Sequence, residues 1–318
     1  MEKRLPNSCH ERSIVEEGQF LFGSVDIGGT KIAVAAVDAD FRIAARRQFP
    51  TNQDAGFEQS IANLTDALKE CEAEAGSKFE AIGIGCTGPV DPATGVVGAV
   101  DLLPGWEGAP LVELVRNSFR VPVFLENDAD VAALGEWRLT RDPQFLFVSV
   151  GTGIGAGLIL DGRIYRGVDG SHPELGHQTI DSRGSACYCG STGCWESLAS
   201  GPAIAKWYQN HTGSSDLAAA AEIFERARRG QPAANRAVER AAFYLGVGIA
   251  NLVTIFCPSR IVLGGGVMQS ADLLLEGIKD NIRQRCGLVP AQRVAVEVSR
   301  LGVDAVLIGS AHLAMAGK

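Results

Sequence analysis

The feature that most constrains this chain is an internal repeat of a short unit of two strands joined by a glycine-rich turn. Residues 20–43 read FLFGSVDIGGTKIAVAAVDADFRI, and residues 145–165 read FLFVSVGTGIGAGLILDGRIY. Each copy contains an apolar strand, a turn rich in glycine and threonine, a second strand of small apolar residues and a turn with aspartate. The repeat predicts two lobes that share one ancestral hairpin.

The rest of the pattern predicts an α/β protein with partly parallel sheets. The chain has 318 residues, of which 46% are hydrophobic, and this is enough for two lobes with separate cores. Residues 57–75 have apolar positions at helical spacing, and residues 81–85 form a buried-strand run. Residues 121–125 predict a further strand, directly before a helix at 129–139. Strand, helix and strand in this order imply parallel neighbours.

These elements suggest a division of the chain into three parts. Residues 1–18 have no periodicity and mixed charges, so we expect a poorly ordered extension there. Residues 19–126 are expected to form a smaller N-terminal lobe, completed by a C-terminal helix at 305–318. Residues 127–304 are expected to form a larger C-terminal lobe.

Charge and hydropathy exclude several classes of partner. The formal net charge of −8 disfavours a polyanion, so nucleic acid is not expected as a ligand. No stretch reaches the roughly 18 uncharged apolar residues that span a bilayer, and residues 1–20 lack the apolar core of a signal peptide. We therefore expect a cytoplasmic protein without a membrane segment.

The two glycine turns, at 26–30 and 151–155, are suited to phosphate. Backbone N–H groups at tight glycine turns form concave anion sites that no side chain obstructs. Asp26 adds a carboxylate for Mg²⁺, and Thr30 and Thr152 add hydroxyls. Either turn alone could be an ordinary hairpin turn, but two matched copies favour a clamp around one triphosphate. Both turns lead into a strand, which excludes a dinucleotide-binding Rossmann turn, and a Walker P-loop is absent.

A third glycine run, at 264–266, follows the apolar strand predicted at 260–263. It would let an adenine or ribose approach the backbone closely, with an ordinary strand-to-helix turn as the alternative.

Three of the eight cysteines lie in one short segment with metal-ligand spacing. Cys187, Cys189 and Cys194, together with His177 upstream, form a Cys₃His set that suits tetrahedral zinc. Four protein ligands leave no open position for an activated water, so the zinc would be structural. Free buried cysteines are the alternative, and a disulfide is disfavoured in a reducing compartment.

Polar residues near this segment and after the strand at 121–125 suggest a sugar site. Zinc would hold Glu174, His177 and Glu196 close together, and His177 could use its second ring nitrogen for a sugar oxygen. Asp128 is suited to accept the proton of a sugar hydroxyl during phosphoryl transfer, with Asn127 orienting the sugar. The alternative for Asp128 is a helix cap.

These motifs together resemble the ROK family of repressors and sugar kinases, from residue 20 onward. The matching segments are DIGGTK (26–31), GPVD (88–91), LPGW (103–106), ENDADVAALGE (126–136), GTGIGAG (151–157), HPELGH (172–177) and CYCGSTGCWE (187–196).

The resemblance implies an actin-like ATPase fold, related to ribonuclease H, with ATP and sugar between two lobes that close on binding. It implies Asp128 as the catalytic base and Asn127, Glu174, His177 and Glu196 as sugar ligands. The residues expected at MgATP are Asp26, Gly28, Gly29, Thr30, Lys31, Gly151, Thr152, Gly153, Gly155 and Gly265.

Within the family, the cysteine segment and the pair Trp195 and Glu196 are most similar to bacterial glucokinases, which implies that glucose 6-phosphate is the product. N-acetylmannosamine, fructose and allose are the alternative substrates, and HPELGH is also similar to ROK fructokinases. Leu102 stands where relatives often have Asn, and Val306 replaces a frequent Gly.

Two functions other than catalysis are the alternatives to this interpretation. ROK repressors share the sugar and zinc motifs, but they carry an N-terminal helix-turn-helix that about 18 residues cannot hold. A sugar-binding protein without catalysis is disfavoured by the presence of Asp26, Asp128 and both glycine turns. By analogy with the family, we expect a homodimer.

Overall fold

The computed structural model describes residues 20–51, 56–213 and 218–318, so the predicted extension at 1–18 lies outside the described residues. The strands are β1 (Leu21–Ile27), β2 (Lys31–Asp38), β3 (Ile43–Pro50), β4 (Phe79–Cys86), β5 (Val90–Asp91), β6 (Val96–Val97), β7 (Val123–Asn127), β8 (Gln144–Val150), β9 (Ile154–Leu160), β10 (Arg163–Ile164), β11 (Arg260–Gly264) and β12 (Ala295–Val298). The helices are α1 (Gly56–Ala75), α2 (Leu111–Phe119), α3 (Asp128–Trp137), α4 (Trp195–Ala199), α5 (Gly201–Thr212), α6 (Ala220–Arg228), α7 (Pro232–Phe256), α8 (Ala271–Arg285) and α9 (Ala305–Gly317).

The predicted repeat appears as two five-stranded sheets with matching plans. The first sheet has the order β3-β2-β1-β4-β7, and the second has the order β10-β9-β8-β11-β12. In both sheets the repeated unit is an antiparallel hairpin, formed by β1 with β2 and by β8 with β9. The first strand of each hairpin also pairs in parallel with a later strand, β1 with β4 and β8 with β11. The mixed α/β architecture predicted from the sequence is therefore confirmed.

Helix α9 packs on the first sheet and crosses α3 at very short range. The Ser310 hydroxyl donates to the Val25 carbonyl of β1 at 2.9 Å. A Cβ atom on Gly309 would lie 1.8 Å from the Val131 carbonyl of α3, so only glycine fits at this crossing. Val306 occupies space that Gly85 leaves, since a Cβ on Gly85 would lie 2.6 Å from Val306 Cγ1. The contacts of α9 with Val25 of β1 and Gly85 of β4 support our proposal that residues 305–318 belong with the lobe at 19–126, whereas α3, which α9 also crosses, falls within the proposed larger lobe.

Helix α7 is a core helix of the second sheet's layer, although its composition would let it cross a bilayer. Its length and hydropathy are sufficient to span a bilayer, contrary to the expectation that no stretch of this chain is, but 56% of the apolar window is buried. A Cβ on Gly248 would lie 2.2 Å from the Trp195 ring, so this face of α7 is in close contact with α4. The high hydropathy therefore reflects burial inside the protein.

Candidate active site

Two of the predicted site residues, Asp26 and Asp128, lie at the same edge of the first sheet. Strands β1, β4 and β7 are parallel neighbours, and Ile27 pairs with Cys86, which in turn pairs with Asn127. Burial raises the pKa of Asp26 to about 7, and the charge of Asp128 adds to this rise. Burial also raises the pKa of Asp128. The structure thus brings together the two carboxylates on which the predicted chemistry depends.

The junction between β7 and α3 separates the roles of Asn127 and Asp128. The Asn127 side chain accepts from the N–H groups of Ala129 at 2.9 Å and Asp130 at 3.4 Å, which makes it the cap of α3. Its amide also donates to the Gly88 carbonyl at 3.2 Å. Asp128 is the first helical residue, and its carboxylate accepts from the Ala129 N–H at 2.8 Å. The capping role weighed for Asp128 therefore belongs to Asn127.

The first glycine turn is closed by its own backbone and by a neighbouring side chain. The Gly28 N–H donates to the Lys31 carbonyl at 3.0 Å, and the Thr51 hydroxyl donates to the Gly28 carbonyl at 2.6 Å. Leu102 covers Gly29, where a Cβ would lie 2.8 Å from Leu102 Cβ. Thr30 is exposed, and the positive charge of Lys31 acts on the Asp26 carboxylate.

The second glycine turn is held by Glu196 from the cysteine segment. The Ile154 N–H donates to a Glu196 carboxylate oxygen at 2.8 Å, and a Cβ on Gly153 would lie only 2.5 Å from that oxygen. Gly151 closes the turn by donating to the Gly153 carbonyl at 2.9 Å, while Thr152 is exposed. The contact between Glu196 and a predicted phosphate turn was not foreseen from the sequence.

Two further glycines connect this turn with its surroundings. Gly265 has a φ of +85°, and a Cβ there would lie 2.4 Å from the Val150 carbonyl, so the position requires glycine. A Cβ on Gly155 would lie 3.3 Å from the Ala129 methyl group. The second turn therefore lies next to both the third glycine run and the first turn of α3, which carries Asp128.

The four predicted metal ligands converge. The ligand atoms of His177, Cys187, Cys189 and Cys194 all lie within 4.8 Å of one another. The His177 Nδ1 atom is 3.5 Å from the Cys187 sulfur, and the sulfurs of Cys189 and Cys194 are 3.6 Å apart. Thiolates bound tetrahedrally to zinc at 2.3 Å would be about 3.8 Å apart, so the donor set fits that ion.

The Tyr188 hydroxyl lies next to the second ring nitrogen of His177, where a sugar oxygen was expected. The His177 Nε2 atom, expected to meet a sugar oxygen, is 3.0 Å from the Tyr188 hydroxyl. The Tyr188 ring is largely exposed, yet burial of the hydroxyl and the nearby charge of Glu196 raise its pKa. A sugar that used His177 Nε2 would have to displace this hydroxyl. Nothing in the sequence distinguished Tyr188 from other residues of the cysteine loop.

Sequence reasoning also missed a cluster of buried ionisable side chains next to Asp128. Arg166 pairs with Glu126, and its guanidinium lies 3.5 Å from an Asp130 oxygen. The same oxygen is 2.7 Å from His172 Nδ1. The only sequence signal was the series of acidic residues within ENDAD (126–130), because their basic partners come from a distant loop.

The raised pKa of Asp26 predicts a pH-dependent effect of its replacement. A raised pKa means that the folded protein retains a proton on Asp26 that the unfolded chain loses above about pH 4, so stability falls as the pH rises towards 7. We expect Asp26→Asn to raise the midpoint of thermal unfolding more at pH 8 than at pH 5, without nucleotide or Mg²⁺. Calorimetry at both pH values measures this, and equal shifts would contradict the assignment.

Comparisons with known proteins identify the family to which this chain belongs. A model described as the ROK family matches residues 22–316. The glucokinase of Halalkalibacterium halodurans is 35% identical, with 91% of this chain and 93% of the relative covered. The crystal structure of the ROK hexokinase from Thermus thermophilus has a TM-score of 0.81 at 35% identity, covering 94% of this chain and 99% of the other. The ROK glucokinase from Streptomyces griseus, in complex with glucose and AMPPNP, has a TM-score of 0.81 at 33% identity, covering 93% and 100%.

Proposed function

Because the chain belongs to the ROK family, we propose that it is an ATP-dependent sugar kinase that converts glucose to glucose 6-phosphate. Its fold is the actin-like ATPase fold of the ROK kinases. The observation that carries the proposal is the pair of carboxylates, Asp26 and Asp128, at one edge of the first sheet. Asp26 lies at the end of β1, next to a glycine turn suited to phosphate, and Asp128 follows Asn127 at the start of α3.

In the proposed enzyme, the three glycine runs and Asp26 form the nucleotide site. Bound Mg²⁺ would neutralise the charge that develops on the transferring phosphate, and the Asp26 carboxylate is the group that would hold it, directly or through water. The residues proposed to contact ATP are Gly28, Gly29, Thr30, Lys31, Gly151, Thr152, Gly153, Gly155 and Gly265.

Asp128 is the proposed catalytic base for the sugar hydroxyl. Burial raises its pKa towards the range in which a carboxylate accepts a proton more readily, while the Ala129 N–H opposes this rise and holds the carboxylate in place. Asn127, Glu174, His177 and Glu196 are the proposed ligands of the other sugar hydroxyls. Together they orient the acceptor hydroxyl towards the γ-phosphate.

The proposed role of zinc is to fix the segment from His177 to Glu196. His177, Cys187, Cys189 and Cys194 would fill all four positions of a tetrahedral ion and leave none for catalysis. Glu196 follows Cys194 by two residues, and its carboxylate accepts a hydrogen bond from the Ile154 N–H in the second glycine turn. The metal would therefore order residues that contact both substrates.

Other sugars and other roles are the alternatives to be tested. N-acetylmannosamine, fructose and allose are competing substrates, and a sugar-sensing protein without catalysis is the competing role. We further propose a homodimer in the cytoplasm, with neither nucleic acid nor a membrane as a partner. The net charge of −8 and the burial of α7 support the exclusion of those two partners.

The proposal is tested by coupling ADP release to a spectrophotometric readout, with MgATP and a panel of sugars. The panel contains glucose, N-acetylmannosamine, N-acetylglucosamine, fructose, mannose and allose. We expect glucose to have the highest kcat/KM. A different preferred sugar would replace glucose in the proposal, and no turnover with folded, zinc-loaded protein would favour the sensing role.

A further inference from the structure

Two buried and two partly buried ionisable side chains connect the junction that bears Asp128 to the loop at 165–177, which we call the sugar loop. Asp130 and Glu126 have side chains that are 0% and 3% exposed, on α3 and β7 respectively. His172 and Arg166, which are 10% and 25% exposed, reach them from the sugar loop. We call Asp130 and His172 the anchor pair.

A purely structural role explains this cluster poorly. Removing two carboxylates and a guanidinium from water costs several kcal/mol per ion, and apolar side chains of similar size often stabilise a fold as well or better. Moreover, Asp130 Oδ1 is buried without a hydrogen-bond partner among the described residues, so the cluster is not fully satisfied. What the cluster does provide is a fixed geometry, because an imidazole and a guanidinium both converge on one carboxylate oxygen.

That geometry determines where two proposed substrate-binding groups lie. Glu174 follows His172 by two residues and is exposed, so its position depends on the loop backbone. Asp128 precedes Asp130 by two residues on the first turn of α3. The anchor pair, with its 2.7 Å contact, thus connects these two segments directly, and the Arg166 guanidinium, 3.5 Å from the same Asp130 oxygen, is the second connection.

We propose that His172 is a positioning residue for the kinase reaction. Through Asp130, with Arg166 as second contact, it holds the sugar loop against α3, so that Glu174 and Asp128 face the same sugar. This inference rests on the proposed function, since it names a further determinant of the same site. It predicts that loss of the Nδ1 hydrogen bond weakens sugar binding more than ATP binding.

Two amide variants of the full-length chain separate this role from the mere presence of a polar side chain. In His172→Asn the amide nitrogen takes the place of Nδ1, whereas in His172→Gln it takes the place of Nε2. We expect His172→Gln to raise the KM for the preferred sugar about tenfold or more, because a hydrogen bond to a charged group is lost. The KM for ATP should change less than about twofold. His172→Asn should stay within about threefold of the wild type. His211→Ala, at an exposed histidine of α5, is the control and should leave all constants unchanged.

Other outcomes would overturn the proposal. Equal sugar KM values in the two amide variants would exclude positioning through Nδ1, and a parallel rise in the KM for ATP would indicate a general structural defect.

The shift in thermal unfolding caused by the sugar provides a readout without turnover. If the wild type has no turnover but is stabilised by sugar, the kinase proposal fails. In that case, loss of the sugar-induced shift in His172→Gln but not in His172→Asn still supports the positioning role. If the wild type shows neither turnover nor a sugar-induced shift, both proposals fail.

Discussion

The Asp128→Asn variant is expected to lower kcat by about a thousandfold or more, while the dissociation constant for the sugar changes less than about threefold. General base catalysis contributes about 10²- to 10⁴-fold, and an asparagine amide cannot accept the hydroxyl proton. The substitution keeps the size of the side chain and an oxygen that can accept from the Ala129 N–H, so α3 should begin as in the wild type. The coupled ADP assay measures kcat, and isothermal titration calorimetry measures sugar binding.

A matched control for this variant is Asp161→Asn, in the exposed turn between β9 and β10. Asp161 has a φ of +49°, a conformation that asparagine also tolerates, so both folding and kcat should be unchanged. A kcat for Asp128→Asn within tenfold of the wild type would exclude Asp128 as the base.

The second large effect is expected from Cys189→Ser, which removes one thiolate from the four-residue metal cluster. We expect the variant to lose zinc, because one of the four ligands is removed. Since structural zinc contributes to the free energy of folding, the unfolding midpoint should then fall by about 10 °C or more. The KM for the sugar should rise as well, because His177 is itself a ligand and Glu196 lies two residues beyond Cys194. Metal analysis by mass spectrometry, thermal unfolding and the kinetic assay measure the three quantities.

Cys257→Ser provides the control, because Cys257 is also exposed but lies at the end of α7, outside the cluster. It should retain zinc, stability and activity. If Cys189→Ser retained the same zinc stoichiometry and the same unfolding midpoint, the assignment of Cys189 as a zinc ligand would be wrong.

Features that depend on neighbouring residues could be predicted from the sequence. The two hairpins were recognisable because apolar strands and glycine turns recur in the same order, and both sheets contain them. The cysteine cluster was predicted because three of its ligands lie in one short loop. The proximity of Asp26 and Asp128, in contrast, is a finding of the structure, in which the parallel pairing of β1, β4 and β7 places both at the carboxyl ends of the strands.

Features that depend on distant contacts could not be predicted. His172 and Asp130 are 42 residues apart, and no periodicity connects them. Glu196 is equally far from Ile154, so its hydrogen bond to the second turn was hidden as well. The capping role of Asn127 was not predicted either, because Asn and Asp are both good caps and only the backbone geometry decides which of the two neighbours caps α3.

The most direct test of the central claim is to identify the product by ³¹P nuclear magnetic resonance after incubation of the wild-type protein with MgATP and glucose. The proposed reaction predicts that ADP and a phosphate monoester at O6 of glucose form in equal amounts. ADP accompanied by inorganic phosphate alone, or an unchanged ATP spectrum with folded protein, would contradict the assignment as a glucose kinase.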